Sequence, residues 1–263
     1  MLWLNIDVLA SSRFIFVQSS EPRLFSSSKT RIFVYIQREK DIYYAHGLKL
    51  CACIYLVILY ELDKMVISFD QFKKNVLEKC ISCSSSESSL PFILQDNIDK
   101  LENGIVAEFG VFSGRTLNLI RQKTPNQLAV WGFDCFTGLP DHWRDGFDKG
   151  TFNLNGNIPF IEDGITISKG LFQNTLPLLE PYFKNQVSRL IHIDCDIYSA
   201  AIYVLYQLEK TIVKGTIIVF DELIGYPGYE DHELKALYEF CKEFKKSFEV
   251  LCAFEETVAI RFV

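Results

Sequence analysis

The sequence predicts an α/β domain on a doubly wound, mostly parallel sheet of about seven strands, closed at one side by an antiparallel C-terminal hairpin strand. Three observations point there. From residue 65 onward, short apolar runs alternate with helix-length amphipathic stretches, and such alternation needs crossover helices between parallel strands. Two acidic groups, Asp194-Cys195-Asp196 and Asp221-Glu222, directly follow the apolar runs Leu190 to Ile193 and Thr216 to Phe220. A helical stretch separates those runs, so the strands lie side by side and their carboxylates meet at one sheet edge. A glycine-bearing turn, Glu108-Phe109-Gly110-Val111-Phe112-Ser113-Gly114, follows an earlier strand.

Taken in order, Phe69 to Cys80 has the spacing of an amphipathic helix, and Ser82 to Ser89 is a polar loop. Pro91 to Leu101 reads as a second helix running to the stop signal Asn103-Gly104. Ile105 to Phe109 is a buried strand and Arg115 to Gln122 a helix. Ala129 to Phe133 is the second strand, and Phe136 to Phe160 a long loop rich in Gly, Pro, Asp and aromatics. Loops of that length in compact domains are usually functional or mobile. Ile165 to Ser168 is a strand, Phe172 to Leu179 a short helix, Leu190 to Ile193 a strand, Ser199 to Lys210 a helix, Gly215 to Phe220 a strand and Asp231 to Lys246 a helix. Phe248 to Phe254 and Val258 to Val263 form the closing hairpin around Glu255-Glu256-Thr257.

Residues 1–64 read differently. They mix short apolar runs, the serine cluster Ser26 to Ser28 and basic residues without sustained periodicity. The chain has two methionines, Met1 and Met65. We therefore read Met65 as the natural start and 1–64 as an atypical, poorly ordered or mis-assigned extension, against the alternative of a genuine module packed on the core. Residues 65–263 form the main domain, with N-terminal helices over 65–103 and the sheet core over 104–263.

A formal charge of −6 and the absence of a basic stripe disfavour nonspecific nucleic-acid binding. Eight scattered cysteines, some inside strands (Cys195, Cys252), fit a reducing cytoplasmic setting better than a disulfide framework. Cys80-x-x-Cys83 and Cys51-x-Cys53 have no second pair at zinc-finger spacing. The longest apolar run, Leu50 to Tyr60, has eleven residues. As a helix it would span roughly 16 Å, about half a bilayer core, so no membrane span is expected. Asp7 interrupts the N-terminus, which makes a poor signal peptide.

Gly110 and Gly114 permit a tight turn and close approach of a ligand, and the helix beginning near Arg115 aims its N-terminal amides at that ligand. The spacing is G-x-x-x-G, not the dinucleotide fingerprint, and no P-loop Lys-Ser/Thr pair follows. The alternative is a plain βα turn. Asp134 ends the next strand beside it, where a carboxylate can accept both hydroxyls of a ribose or anchor a loop. Carboxylates as dense as Asp194, Asp196, Asp221 and Glu222 repel unless a cation or protons hold them. A strand-end Asp can instead cap the following helix, as Asp196 could.

In joint order the motifs resemble class I S-adenosylmethionine-dependent methyltransferases, most closely the macrocin O-methyltransferase family. They are Glu108 to Gly114, Gly132-Phe133-Asp134-Cys135-Phe136-Thr137-Gly138-Leu139-Pro140, Trp143-Arg144-Asp145-Gly146-Phe147, Lys169-Gly170-Leu171-Phe172-Gln173-Asn174-Thr175-Leu176-Pro177, His192-Ile193-Asp194-Cys195-Asp196-Ile197-Tyr198 and Phe220-Asp221-Glu222. The resemblance covers roughly residues 90–263 and implies a Rossmann-like fold. It implies that Glu108, Gly110 and Gly114 hold the methionine part of the cofactor and Asp134 its ribose, with Ser168, Gly170 and Phe172 flanking the adenine. It also implies a metal on Asp194, Asp221 and Glu222, the last a Glu where some relatives carry Asp.

Magnesium suits such a set, since it takes oxygen ligands and keeps open positions for an acceptor diol. A hydroxyl bound there loses its proton more readily, and Asp194 or Asp196 could take that proton. His192, on the strand before Asp194, and His232 are further candidate bases; packing and helix-capping roles are the alternatives. The loop 141–160, with Trp143, Arg144, Phe147 and Lys149, reads either as a lid over the acceptor or as aromatics packed on the sheet edge. The expected function is O-methylation of a small-molecule acceptor, a hydroxyl of a sugar or glycosylated natural product, by a protein free to form a homo-oligomer. The rival readings are a metal-dependent glycosyltransferase using the D-x-D, a non-catalytic cofactor-binding protein on the same fold and, against the glycine spacing, a nicotinamide dehydrogenase.

Overall fold

In the computed structural model the chain divides into two compact units, Met1–Ile67 and Ser68–Val263. The structure describes residues 67–84, 89–96 and 103–263 and, by backbone alone, four N-terminal strands. These are β1 (Leu4–Ile6), β2 (Ile15–Ser19), β3 (Ile32–Arg38) and β4 (Asp41–Ala45), an antiparallel sheet in sequential order. The reading of Met65 as the start, the run Leu50 to Tyr60 and the Cys51-x-Cys53 pair fall outside the described residues.

The second unit carries helices α1 (Phe69–Ser82) and α2 (Ser89–Asp96), then β5 (Ile105–Phe109), α3 (Arg115–Lys123), β6 (Val130–Asp134) and β7 (Ile165–Lys169). There follow α4 (Phe172–Phe183), β8 (Ser188–Ile193), α5 (Tyr198–Gln207), β9 (Ile217–Phe220), α6 (Glu233–Phe244), β10 (Phe248–Phe254) and β11 (Thr257–Phe262). The seven strands form one sheet in the order β10-β11-β9-β8-β5-β6-β7, in which β11 runs antiparallel to both neighbours. This is the doubly wound, mostly parallel architecture expected from the alternation of elements.

Side chains alternate across the pleat. Ile105, Ala107, Phe109, Ile191, Ile193, Ile218 and Phe220 pack with α1, α4, α5 and α6 on one face. Val106, Val130, Leu190 and Val219 pack with Leu90, Ile93, Leu117 and Ile120 of α2 and α3 on the other. Strand order reverses between β5 and β8, the topological switch point where open α/β sheets leave a crevice beyond their strand ends.

Most boundaries shift by one to three residues from the sequence reading, and three of the differences have a physical cause. The second helix is Ser89–Asp96 and includes Pro91 in its first turn, where a missing N–H is tolerated; residues 97–102 lie outside the described residues. Helix α4 continues to Phe183 through Pro177 and Pro181, because Leu176 and Phe183 are buried and this packing offsets the lost backbone bonds. Asp231 ends a separate 3-10 turn, Tyr229–Asp231, so α6 starts at Glu233. Among the described residues no helix is long and apolar enough to cross a membrane.

Candidate active site

Backbone bonds continue past the strand ends and hold the site in register. Gly110 N donates to Phe133 O at 3.0 Å, Asp194 N to Phe109 O at 2.9 Å, Asp221 N to Ile193 O at 3.0 Å and Gly170 N to Asp134 O at 2.9 Å. The motif glycine, the strand-end carboxylates and the 170 turn thus share one edge. Gly110 is in the left-handed region (φ +96°), and a Cβ there would lie 1.6 Å from the Asp194 carbonyl oxygen. Its first duty is to let the end of β5 pass against the D-x-D segment.

A cavity opens at this edge. Its wall includes Gly110, Asp134, Gly170, Phe172, Asp194, Asp196, Asp221 and Glu222, so eight of the residues singled out from sequence meet around one space. Glu108, Gly114 and Ser168 are not on that wall. Gly114 (φ +78°) precedes α3, with Ile161 and Phe160 packed where a Cβ would project. Ser168 lies in β7 opposite Phe133. Glu108 is fully buried beneath the edge.

The two halves of the cavity differ. On the glycine side, Asp134 Oδ2 accepts from Val111 N and Phe112 N, both at 2.8 Å, and Oδ1 accepts from Phe136 N at 2.6 Å. Asp134 thus anchors the turn and also lines the cavity. A carboxylate has about four lone-pair sites, so accepting capacity remains. Leu139, Phe152, Leu171 and Phe172 give this half an apolar wall suited to a flat ring.

On the other side the carboxylates crowd. One ligand oxygen each from Asp194, Asp221 and Glu222 falls within 4.8 Å of the others. Burial, then the neighbouring Asp221, holds the Asp194 carboxyl well above its usual range. The same two causes push Asp196 up to about 7. Burial, then Asp194, pushes Glu222 up to about 12. Asp221 is the exception: burial would raise it, but His192, Glu222 and Thr257 together bring it below the usual value. Among the described residues, Glu222 Oε2 and both oxygens of Glu233 are buried without a hydrogen-bond partner. Such a set fits a hard divalent cation, which would replace repulsion with bonds to oxygen. Asp196 also has a left-handed backbone (φ 65°), strain of a kind that gathers at functional sites.

His192 lies under this cluster. Its Nδ1 is 2.8 Å from Glu108 Oε1 and its Nε2 3.7 Å from Asp221 Oδ1. Burial would lower its pKa, but the two carboxylates carry it well above the usual value. His232 precedes α6 as its cap residue, without a side-chain capping bond, and burial lowers its pKa.

The long loop is ordered by its own backbone bonds, such as Leu139 N to Thr151 O and Trp143 N to Phe147 O. Gly138, Leu139, Pro140 and Phe152 line the cavity, while Trp143 is buried with Leu139, Ile197 and Tyr226. The Arg144 guanidinium lies 4.0 Å from the Trp143 ring centre and 4.4 Å from that of Tyr226, and pairs with Glu256 at 3.0 Å. The loop is thereby tied to the β10–β11 turn.

Sequence reasoning missed Glu233, whose fully buried carboxyl is raised far above its usual range by burial and by Asp196. It follows His232 near the start of the helix expected from Asp231, in a polar stretch with no motif to single it out. It also missed Phe112, Gln173 and Ser199 on the cavity wall; the motifs at 108–114 and 169–177 gave a signal for Phe112 and Gln173, and only chain folding places Ser199.

No protein-family model and no curated protein matches the chain. Among solved structures, it is similar to the calicheamicin methyltransferase CalS11, with 22% identity over 66% of this chain and 77% of that one, at a TM-score of 0.53. It is similar also to the O-methyltransferase NovP, with 19% identity, 65% and 77% coverage and a TM-score of 0.51. These likenesses show the fold: the second unit has the Rossmann-like architecture of these methyltransferases.

Proposed function

We propose that this protein is an S-adenosylmethionine-dependent O-methyltransferase acting, with magnesium, on a hydroxyl of a sugar or glycosylated natural product. The observation that carries the reading is a single cavity at the switch point with Gly110, Asp134, Gly170 and Phe172 on one side and Asp194, Asp221 and Glu222 on the other. The methyltransferase activity of proteins with this fold, one of them a calicheamicin methyltransferase, supports the substrate class. When bound, the cofactor supplies an electrophilic methyl group and the cation acidifies a coordinated hydroxyl.

The chain's own residues do the rest. Asp134 and the apolar wall orient the nucleoside, and Gly110 borders the space left for its charged end. Asp194, Asp221 and Glu222 would hold the cation, which would fix an acceptor hydroxyl beside the cofactor's half of the cavity. Asp196, two residues beyond Asp194 and on the same cavity wall, is placed to accept the acceptor's proton. We also propose that residues 65–263 are the functional domain. Calorimetric titration of S-adenosylhomocysteine tests the reading, on full-length protein and on 65–263, with magnesium present. Micromolar binding to both is expected. No binding by folded protein would overturn it and send the search to sugar nucleotides with manganese.

A further inference from the structure

Glu108 is a carboxylate with no exposed surface, in a strand, away from the cavity wall. Burying a charge without a partner is strongly unfavourable. Its partner is set by the sheet. In the β5/β8 register Glu108 stands opposite His192, and in the β8/β9 register His192 stands opposite Val219. Asp221 is two residues beyond Val219 and so returns to the same face. Three neighbouring strands thus line up an acid, an imidazole and a second acid, at 2.8 Å and 3.7 Å, with His192 also fully buried.

The ring's two nitrogens have different jobs. At 2.8 Å, Nδ1 and Glu108 share a proton. If Glu108 holds it, the neutral imidazole keeps its own proton on Nε2. If Nδ1 holds it, the ring is either imidazolium, with Nε2 protonated, or the neutral Nδ1–H tautomer, whose bare Nε2 would set a lone pair against the Asp221 carboxylate 3.7 Å away. The negative charge of that carboxylate favours the states in which an N–H faces Asp221 Oδ1. The 3.7 Å gap is too long for a finished hydrogen bond but short enough to orient the carboxylate. Thr257 Oγ1 approaches the same oxygen at 3.5 Å, and Asp221 itself is on the cavity wall. Outer partners of this kind orient metal-binding groups and tune their basicity.

We propose that Glu108 and His192 are positioning residues that act through one another on Asp221, and that Glu108 serves the cation side of the site and not the cofactor. The proposal rests on the cation reading above. The test uses full-length protein as wild type, H192L, H192Q and E108Q. Mn²⁺ affinity is read by electron paramagnetic resonance and S-adenosylhomocysteine affinity by calorimetry. H192L is expected to weaken Mn²⁺ binding about 10- to 100-fold with cofactor affinity within about twofold. H192Q, whose amide still offers an N–H, recovers most of that loss, which a merely structural role would not predict. E108Q weakens Mn²⁺ binding about threefold or more and spares the cofactor.

Wild-type Mn²⁺ affinity in folded H192L overturns the proposal. So does an E108Q protein that loses the cofactor and keeps Mn²⁺. Should H192L not fold, the wild-type spectrum decides with E108Q: a manganese–nitrogen coupling would make His192 a direct ligand and remove its positioning role. Failure of the wild type itself to bind Mn²⁺ strikes the cation reading first, and this proposal with it.

Discussion

The glycine half and the acidic half of the cavity face each other across one sheet edge, yet they are finished to different degrees. Asp134 already accepts three backbone amides, so its side of the cavity is held in shape by the chain alone. Across from it, Asp194, Asp196 and Glu222 are all raised by burial and mutual repulsion, and Glu222 Oε2 has no partner among the described residues. One half is organised by backbone; the other needs protons or a cation. The lesson is that a carboxylate's neighbours, not its identity, decide whether it anchors a loop or awaits a ligand.

The largest effect should come where the halves touch. Gly110→Ala drives a Cβ into the Asp194 carbonyl, and should destabilise the domain by about 3 kcal/mol or more. A thermal melt by circular dichroism should show it, and both cofactor and metal binding should weaken together. A variant with wild-type melting would mean that the two segments can separate freely. Next, Asp221→Ala should reduce magnesium-dependent turnover by on the order of 100-fold while leaving S-adenosylhomocysteine affinity within about twofold. Asp134→Asn should do the reverse, weakening the cofactor by roughly tenfold, about 1.4 kcal/mol, with Mn²⁺ affinity kept. Equal loss of cofactor binding in the two would erase the division between the halves.

A smaller effect concerns pH. Carboxyls whose folded pKa is raised stabilise the protein below their unfolded pKa, and that contribution is lost as pH rises toward the folded value. For Asp196 the fall runs from its ordinary carboxylate range up to about 7, and Glu222 extends it to higher pH. Without divalent cations, melting temperature should therefore drop by a few degrees across this window, and magnesium should flatten the drop. A profile unchanged by magnesium would argue against a cation at these carboxylates. The smallest effect should follow Arg144→Ala, which loses stacking on Trp143 and Tyr226 and the pair with Glu256. About 1 kcal/mol of stability is expected to be lost, read as a drop of a few degrees in melting temperature with cofactor affinity unchanged.

Much of this was legible in the residues themselves. Apolar runs alternating with amphipathic stretches determine a parallel sheet, because strands that run the same way need crossover helices. Acids placed just after those runs must then gather at the strand ends, and Asp134, Asp194, Asp196, Asp221 and Glu222 do so. What the chain could not disclose by itself was which groups would be satisfied. Glu108 looks like a ligand-facing acid by position, yet the β5/β8 register turns it toward His192. Glu233 has no motif to single it out and is buried. Helix α4 runs through two prolines because Leu176 and Phe183 are held by the core. Periodicity is local and survives in one dimension. Burial, pairing and the pKa of a carboxyl depend on neighbours distant in sequence, and only the tertiary structure chooses those.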